Sequence, residues 1–199
     1  MIVILPPQAQ AQELSAGADV VEAELARQLA SAGYKTQLVE KSDFSTLWNA
    51  NVAAVGGLFD AATGQPKQDR YAQVLKQTTL QVASELNGAL FIAPRIVYRA
   101  AALNADSAEW DGQRRRMEIT EARGESIQSW SGSTRGVSIQ ITAMAPSGEI
   151  QRVTYGGLVL PYRVSLKLDQ NVPKPDLFDQ KSDVANGVAT ALWPLIGAR

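Results

Sequence analysis

Residues Gly136–Val164 constrain the fold of this chain more than any other stretch, because apolar and polar side chains alternate there around a turn. Before the turn, the apolar positions are Val137, Ile139, Ile141 and Ala143, with the polar residues Ser138, Gln140 and Thr142 between them. Ala145-Pro146-Ser147-Gly148 supplies the turn, and alternation resumes after Glu149. This pattern predicts a β-hairpin. A hairpin so late in the chain, after helical segments, indicates a fold that combines helices with a sheet.

Periodicity elsewhere predicts three further strands and three long helices. The helices are predicted at Ala18–Ala32, Asp69–Leu86 and Ser182–Ile196. The strands are predicted at Ile2–Leu5, Tyr34–Glu40 and Ala89–Leu103, the second beside the first. We therefore predict an α/β (α+β) fold: a single mixed sheet with two long helices packed on it, a late β-hairpin and a C-terminal helix. One domain, 1–199, is expected.

Shorter segments carry local signals. Ser42-Asp43 predicts the start of a short helix over Phe44–Ala50, and Pro94 predicts an edge position or a bulge within its strand. Asp111-Gly112 predicts a tight turn from which Gln113–Thr120 returns antiparallel. Residues 122–136 are rich in Gly and Ser and are predicted to form a mobile loop.

The composition excludes several kinds of chemistry. The chain contains no His and no Cys, so it has neither a Ser-His-Asp or Cys-His nucleophile system nor a His- or Cys-ligated zinc site. Carboxylates, Lys, Tyr or an oxygen-ligated cation remain as possible chemistry. We predict no cofactor, no tightly bound transition metal and no enzymatic activity. The net charge of −1 gives no basic excess, so a nucleic-acid partner is not expected.

The strongest candidate for a binding site combines aromatic and basic residues near the predicted tight turn. Its members are Trp110, Asp111, Arg114, Arg115, Arg116 and Trp130. Trp and Arg are enriched at interface hot spots, and a Trp side chain supplies a large contact area for little lost entropy. Two plainer interpretations stay open. The tryptophans can cap the sheet, and the arginine triplet can be a solvated strand edge.

The order of elements, together with short motifs, resembles a known group. The motifs are Leu5-Pro6 after the first strand, Ala32-Gly33-Tyr34 after the first helix, Leu86–Ile92 after the second, and the hairpin from Ser138-Ile139 to Ser147-Gly148-Glu149-Ile150. Together they resemble the bacterial envelope lipoprotein domains related to the TolB amino-terminal domain, CsgG and the penicillin-binding-protein activator LpoB. The resemblance implies a periplasmic module, of a kind anchored at the outer membrane, that works by binding and has no catalytic residues. Since this chain has no Cys to lipidate, it also implies that the lipid anchor has been removed.

Two classes of function follow. The first is a non-enzymatic envelope module that binds an envelope protein or associates with itself, with membrane attachment only through the removed anchor. The second is a cytoplasmic α/β enzyme or small-ligand-binding protein. A signal peptide with a lipobox cysteine encoded upstream of Met1 would favour the first class, whereas a natural start at Met1 would favour the second.

Overall fold

The structure is a computed structural model that describes residues 1–120, 130–165, 167 and 170–197, without the side chain of Trp130. The described part contains both helices and strands. The helices are α1 (Ala18–Ser31), α2 (Lys41–Ala54), α3 (Gln68–Glu85) and α4 (Lys181–Ile196), preceded by a 3-10 helix at Gln12–Gly17. The strands are β1 (Ile2–Ile4), β2 (Gln8–Ala9), β3 (Thr36–Leu38), β4 (Leu90–Ala105), β5 (Ser107–Trp110), β6 (Gln113–Arg116), β7 (Ile119–Thr120), β8 (Trp130–Met144), β9 (Ile150–Val159), β10 (Tyr162–Ser165) and β11 (Gln170–Pro173).

The main sheet has eight strands and is mixed, which confirms the predicted fold class and the C-terminal helix. Its principal order is β3-β1-β4-β5-β6, with β2 and β8 also pairing with β4, and β9 pairing with β8. Strand β1 is parallel to both β3 and β4, as the strand–helix–strand pattern predicted, whereas β5 and β6 continue antiparallel. The predicted strands and the hairpin therefore belong to one sheet.

A second sheet was not predicted. It has three strands in the order β11-β10-β7, and β10 is parallel to β7 and antiparallel to β11. The predicted hairpin Gly136–Val164 accordingly ends earlier, at Val159, because Pro161 has no backbone N–H with which to continue a ladder. Val164 instead pairs with Ile119 in the second sheet.

Pro94 occupies an interior strand, so of the two predicted alternatives the edge position is wrong, while a bulge stays a prediction. Strand β1 pairs with β4 as far as Ile92, and β2 pairs with β4 from Arg95 onward. Neither register includes Ala93 or Pro94, so the absent N–H of the proline does not interrupt either of these two ladders.

Three other boundaries differ from the prediction. Helix α2 starts at Lys41, before Ser42-Asp43, and extends beyond the predicted Phe44–Ala50 to Ala54, with Asn51 continuing its buried face. Strand β5 lies between β4 and β6, so Gln113–Arg116 pairs with β5 rather than with β4. Of the predicted loop 122–136, residues 122–129 lie outside the described part, and residues 130–136 belong to β8.

The described chain divides into two compact units. The first comprises Met1–Pro6, Leu29–Pro94 and Thr142–Val153. Helix α3 packs in this unit through Val74 and Val82 against the strand residues Val3 and Phe91. Helix α2 adds Trp48, whose ring stacks on Phe44 with centroids 5.6 Å apart and meets Tyr71 edge-on at 5.5 Å. Apolar burial between helices and strands therefore forms this core.

The second unit comprises Pro7–Gln28, Arg95–Ile141 and Thr154–Arg199. One of its cores contains Ala101, Ala108, Trp110, Met117 and Leu160. Helix α4 lies so close to β9 that a Cβ on Gly156 would overlap the carbonyl oxygen of Gly187. The prediction of one domain for 1–199 stays a prediction, because two compact units can belong to one folding domain.

Candidate binding surface

The tight turn that holds the first candidate residues has the predicted form. Asp111 and Gly112 both have positive φ, 40° and 75°, and connect the antiparallel strands β5 and β6. Positive φ at both central residues is the geometry of a type I′ hairpin, for which Asp-Gly is a preferred pair. The turn thus follows from local sequence.

Trp110 is buried within the fold, with only 5% of the residue exposed. Its indole covers Gly136, where an added Cβ would lie 2.6 Å from the ring, and Nε1 donates a hydrogen bond to the carbonyl oxygen of Val137 at 3.2 Å. The alternative interpretation, in which this tryptophan packs on its own sheet, describes the structure. A buried indole satisfies its N–H within the fold, as happens here.

The charged candidates are also engaged within the protein. Asp111 accepts a hydrogen bond from Ser138 Oγ at 2.7 Å and pairs with Arg99 Nε at 3.1 Å. Each arginine of the triplet lies against its own acid, in the pairs Arg114–Glu109 at 3.3 Å, Arg115–Asp183 at 3.0 Å and Arg116–Asp106 at 2.8 Å. In the pair Arg115–Asp183 the charges are close, but Arg115 Nη2 does not form a hydrogen bond to the carboxylate. The triplet therefore gives no continuous basic surface.

Trp130 is the first residue of β8, and its side chain lies outside the described part of the protein. The structure brings Trp110, Asp111 and the arginine triplet onto the β5–β6 hairpin, but buries or pairs them there. Partner binding through these candidates stays a prediction.

The second unit contains a more accessible candidate that the sequence analysis did not select. It is an open groove of about 600 Å³, and its described lining residues are Tyr98, Arg99, Ala100, Ser133, Thr134, Arg135, Tyr162 and Asn171. They come from β4, β8, β10 and β11, so four strands hold the groove in place. Tyrosine, arginine, hydroxyl and amide side chains dominate it. That combination is typical of surfaces that bind proteins with adaptable polar contacts and rigid aromatic ones.

The groove is electropositive. Its described lining includes two arginines and no acidic side chain. Arg99 is shared with Asp111 and lies over the ring of Tyr155 at 4.3 Å. Arg135 has no acidic partner among the described residues and lies 5.9 Å from the ring centroid of Tyr98. Among the described lining residues, Arg135 is thus the cation whose charge is available to a ligand.

Tyr98 is held by two hydrogen bonds. Its backbone N–H donates to Gln10 Oε1 at 2.8 Å, and its hydroxyl donates to Glu13 Oε1 at 3.1 Å. Burial, together with this hydrogen bond and the negative charge of Glu13, raises the pKa of Tyr98 to about 12. The phenol therefore stays protonated at neutral pH and acts as a hydrogen-bond donor and an aromatic wall.

One signal for this groove was present in the sequence. Tyr98-Arg99 and Tyr162-Arg163 repeat the same dipeptide, each inside an extended segment. The candidates predicted from the sequence were centred on tryptophan and did not include this Tyr-Arg repeat. Only the pairing of β10 outside the main sheet shows that Tyr98 and Tyr162 line one groove.

Comparison with known proteins assigns this chain to no family. No protein-family model matches this chain, and no curated protein sequence matches it. The residues that the structure describes contain no group of three or more acidic side chains that could hold a metal ion. Within the same residues, no helix has both the length and the apolar character needed to cross a membrane.

Proposed function

We propose that this protein is a non-enzymatic module of the bacterial cell envelope that acts by binding another protein, and that the groove at Tyr98, Arg135 and Tyr162 is the binding surface. The observation that supports this proposal is the groove itself, which is open and lined by tyrosines, arginines and small polar residues. The periplasmic, outer-membrane-anchored location rests on the resemblance to the TolB, CsgG and LpoB group.

The charges of the groove indicate the chemistry of the partner. Arg135 is exposed and lacks an acidic partner among the described residues, and the described lining of the groove contains no acid. An acidic segment would therefore be attracted to it, while a basic one would be repelled. Tyr98 and Tyr162 supply contact area at low entropic cost, since a tyrosine has only two side-chain torsions to immobilise.

Site-specific photocrosslinking in the native host tests this proposal. A benzoylphenylalanine at Ser133 lies in the groove, and irradiation is expected to give a discrete protein adduct in the periplasmic or outer-membrane fraction. Arg135→Glu should reduce that adduct about fivefold or more, because reversing the charge turns attraction for an acidic segment into repulsion.

Lys35→Glu is the matched control, because it makes the same change of charge at an exposed position in the first unit. Equal amounts of adduct in the protein with and without Arg135→Glu would contradict the groove as the binding site. Recovery of the native protein only in the cytoplasmic fraction would contradict the envelope location.

A further inference from the structure

A second cavity in the same unit has the opposite charge. It has a volume of about 450 Å³, within the roughly 300–1,000 Å³ typical of small-ligand sites. Its described apolar walls include Tyr98, Tyr162, Phe178, Pro161, Pro173 and Pro175, and its described acidic residues are Glu13, Asp176 and Asp179. Tyr98 and Tyr162 also line the electropositive groove, so the two cavities share these walls.

Not all of the acids in this cavity are neutralised. Asp176 pairs with Arg163 Nη2 at 3.1 Å, and Lys174, the basic residue in the described lining of the cavity, pairs with Glu118. Glu13 accepts only the neutral hydroxyl of Tyr98 in the contacts described for it, which leaves its charge in place. The carboxylate of Asp179 forms neither a hydrogen bond nor an ion pair with any described residue. Two negative charges therefore remain beside the aromatic walls.

The walls are held in place by close packing. Phe178 is buried, and its ring covers Gly17 so closely that an added Cβ would lie 2.5–2.7 Å from three ring atoms. Tyr98 is held by its bonds to Gln10 and Glu13. A cation is attracted both to carboxylates and to the faces of aromatic rings, and the second attraction grows when the cation loses water.

We infer that this cavity, lined by Tyr98, Tyr162 and Phe178 with Glu13 and Asp179, binds a lysine or arginine side chain of the protein partner. The inference rests on the proposed function and adds the chemistry of a second contact. Because Tyr98 and Tyr162 form a common wall, a partner segment in the groove can place an acidic residue toward Arg135 and a basic one toward Asp179. The long apolar stem of Lys or Arg suits the proline and aromatic walls, and its charged end suits the acids.

Titration of the full chain with capped amino acids, followed by ¹H–¹⁵N NMR, tests this inference without the partner. N-acetyl-lysine amide and N-acetyl-arginine amide are expected to shift the amide signals of Tyr98 and Phe178. N-acetyl-norleucine amide, which has a similar stem and no charge, should bind about tenfold more weakly. Equal binding of all three probes would overturn the inference. So would putrescine binding more tightly than the capped amino acids, since that would indicate a site for free amines.

Variants assign the effect to the cavity. Asp179→Asn and Glu13→Gln should each weaken the binding of N-acetyl-lysine amide about threefold or more, because each removes one attracting charge. Asp69→Asn, an exposed acid of α3 in the first unit, is the matched control and should leave that binding unchanged. Gly17→Ala should also weaken it, by displacing the ring of Phe178. Unchanged binding in both Asp179→Asn and Glu13→Gln would refute the cavity as the site.

The two proposals can fail separately. Loss of the crosslinked adduct from Ser133 in Arg135→Glu tests the groove. Binding of N-acetyl-lysine amide tests the cavity alone. A protein adduct without selectivity for capped lysine would retain the proposed function and reject this inference. Selectivity for capped lysine without any protein adduct would reject the proposed function, and with it the partner as the source of the side chain.

Discussion

Tyr98 lines both the groove and the cavity of the proposed binding surface. Its ring faces the guanidinium of Arg135 on one side, and its hydroxyl reaches Glu13 on the other. The same side chain thus borders a region of positive charge and a region of negative charge. A hydrogen-bonded tyrosine suits this role because it remains neutral over the physiological pH range.

The pKa of Tyr98 gives a test of these contacts. It lies at about 12 in the folded protein against an ordinary value of 10.0, chiefly because burial disfavours the charged phenolate. A raised pKa means that the folded state holds the proton more tightly. Its contribution to the free energy of unfolding is therefore complete below about pH 10 and is lost as the pH rises toward about 12.

We accordingly expect the difference in unfolding free energy between the natural protein and Tyr98→Phe to shrink between about pH 10 and about pH 12. Urea unfolding at several pH values measures it. Glu13→Gln should lower the pKa of Tyr98 part of the way, since burial remains, and absorbance of the phenolate follows that titration. A pH-independent difference between the two proteins would show that Tyr98 titrates normally.

At the scale of elements, the contact of α4 with β9 depends on glycine. Gly156, on β9, and Gly187, on α4, approach each other so closely that neither has room for a Cβ. Thr154 Oγ1 adds a hydrogen bond to the carbonyl oxygen of Ala191 at 2.7 Å. A helix normally loses stability at an interior glycine, so the packing gained here must outweigh that cost.

Gly187→Ala therefore should destabilise the protein, although alanine is the better helix former. Overpacking costs about 1–3 kcal/mol, against a gain of up to about 1 kcal/mol from helix propensity. Ala189→Gly, at an exposed position of the same helix, is the control and should cost about 1 kcal/mol through propensity alone. Thermal and urea unfolding measure both changes. A more stable Gly187→Ala protein would show that α4 does not lie as close to β9 as described.

At the scale of the whole molecule, the chain passes repeatedly between its two compact units. Strands β4, β8 and β9 each contribute residues to both units, as does helix α1. Hydrogen-bonded elements unfold cooperatively, so we expect an element with residues in two units to couple their unfolding. One domain therefore stays the prediction.

Two single-tryptophan proteins test that prediction. One retains Trp48, which reports on the first unit, and the other retains Trp110, which reports on the second, with the remaining tryptophans replaced by Phe. We expect the fluorescence transition of each to coincide with its own circular dichroism transition in urea, as in two-state unfolding. Separate transitions by the two measurements, in either protein, would indicate two domains.

The sequence by itself determined the parts of this protein whose structure depends on residues near each other in the chain. Apolar spacing located α1 and α3 to within a residue or two, because a 3.6-residue period leaves one face of a helix apolar. The Asp111-Gly112 pair determined its turn, because few residues accept positive φ at both positions. The alternation of apolar and polar residues in Gly136–Val164 located the β8–β9 hairpin, because successive side chains of a strand point to opposite faces of the sheet.

Only the tertiary structure decided which aromatic side chains face solvent and which charges are left unpaired. Nothing local to Trp110 shows that Gly136, far along the chain, leaves space for its ring, or that β10 pairs outside the main sheet. The same holds for charge. The acids that pair with the arginine triplet lie on β5, on α4 and in the turn before β5, whereas Arg135 meets the ring of Tyr98. Burial and ion pairing depend on neighbours distant in sequence, and the fold alone brings those neighbours together.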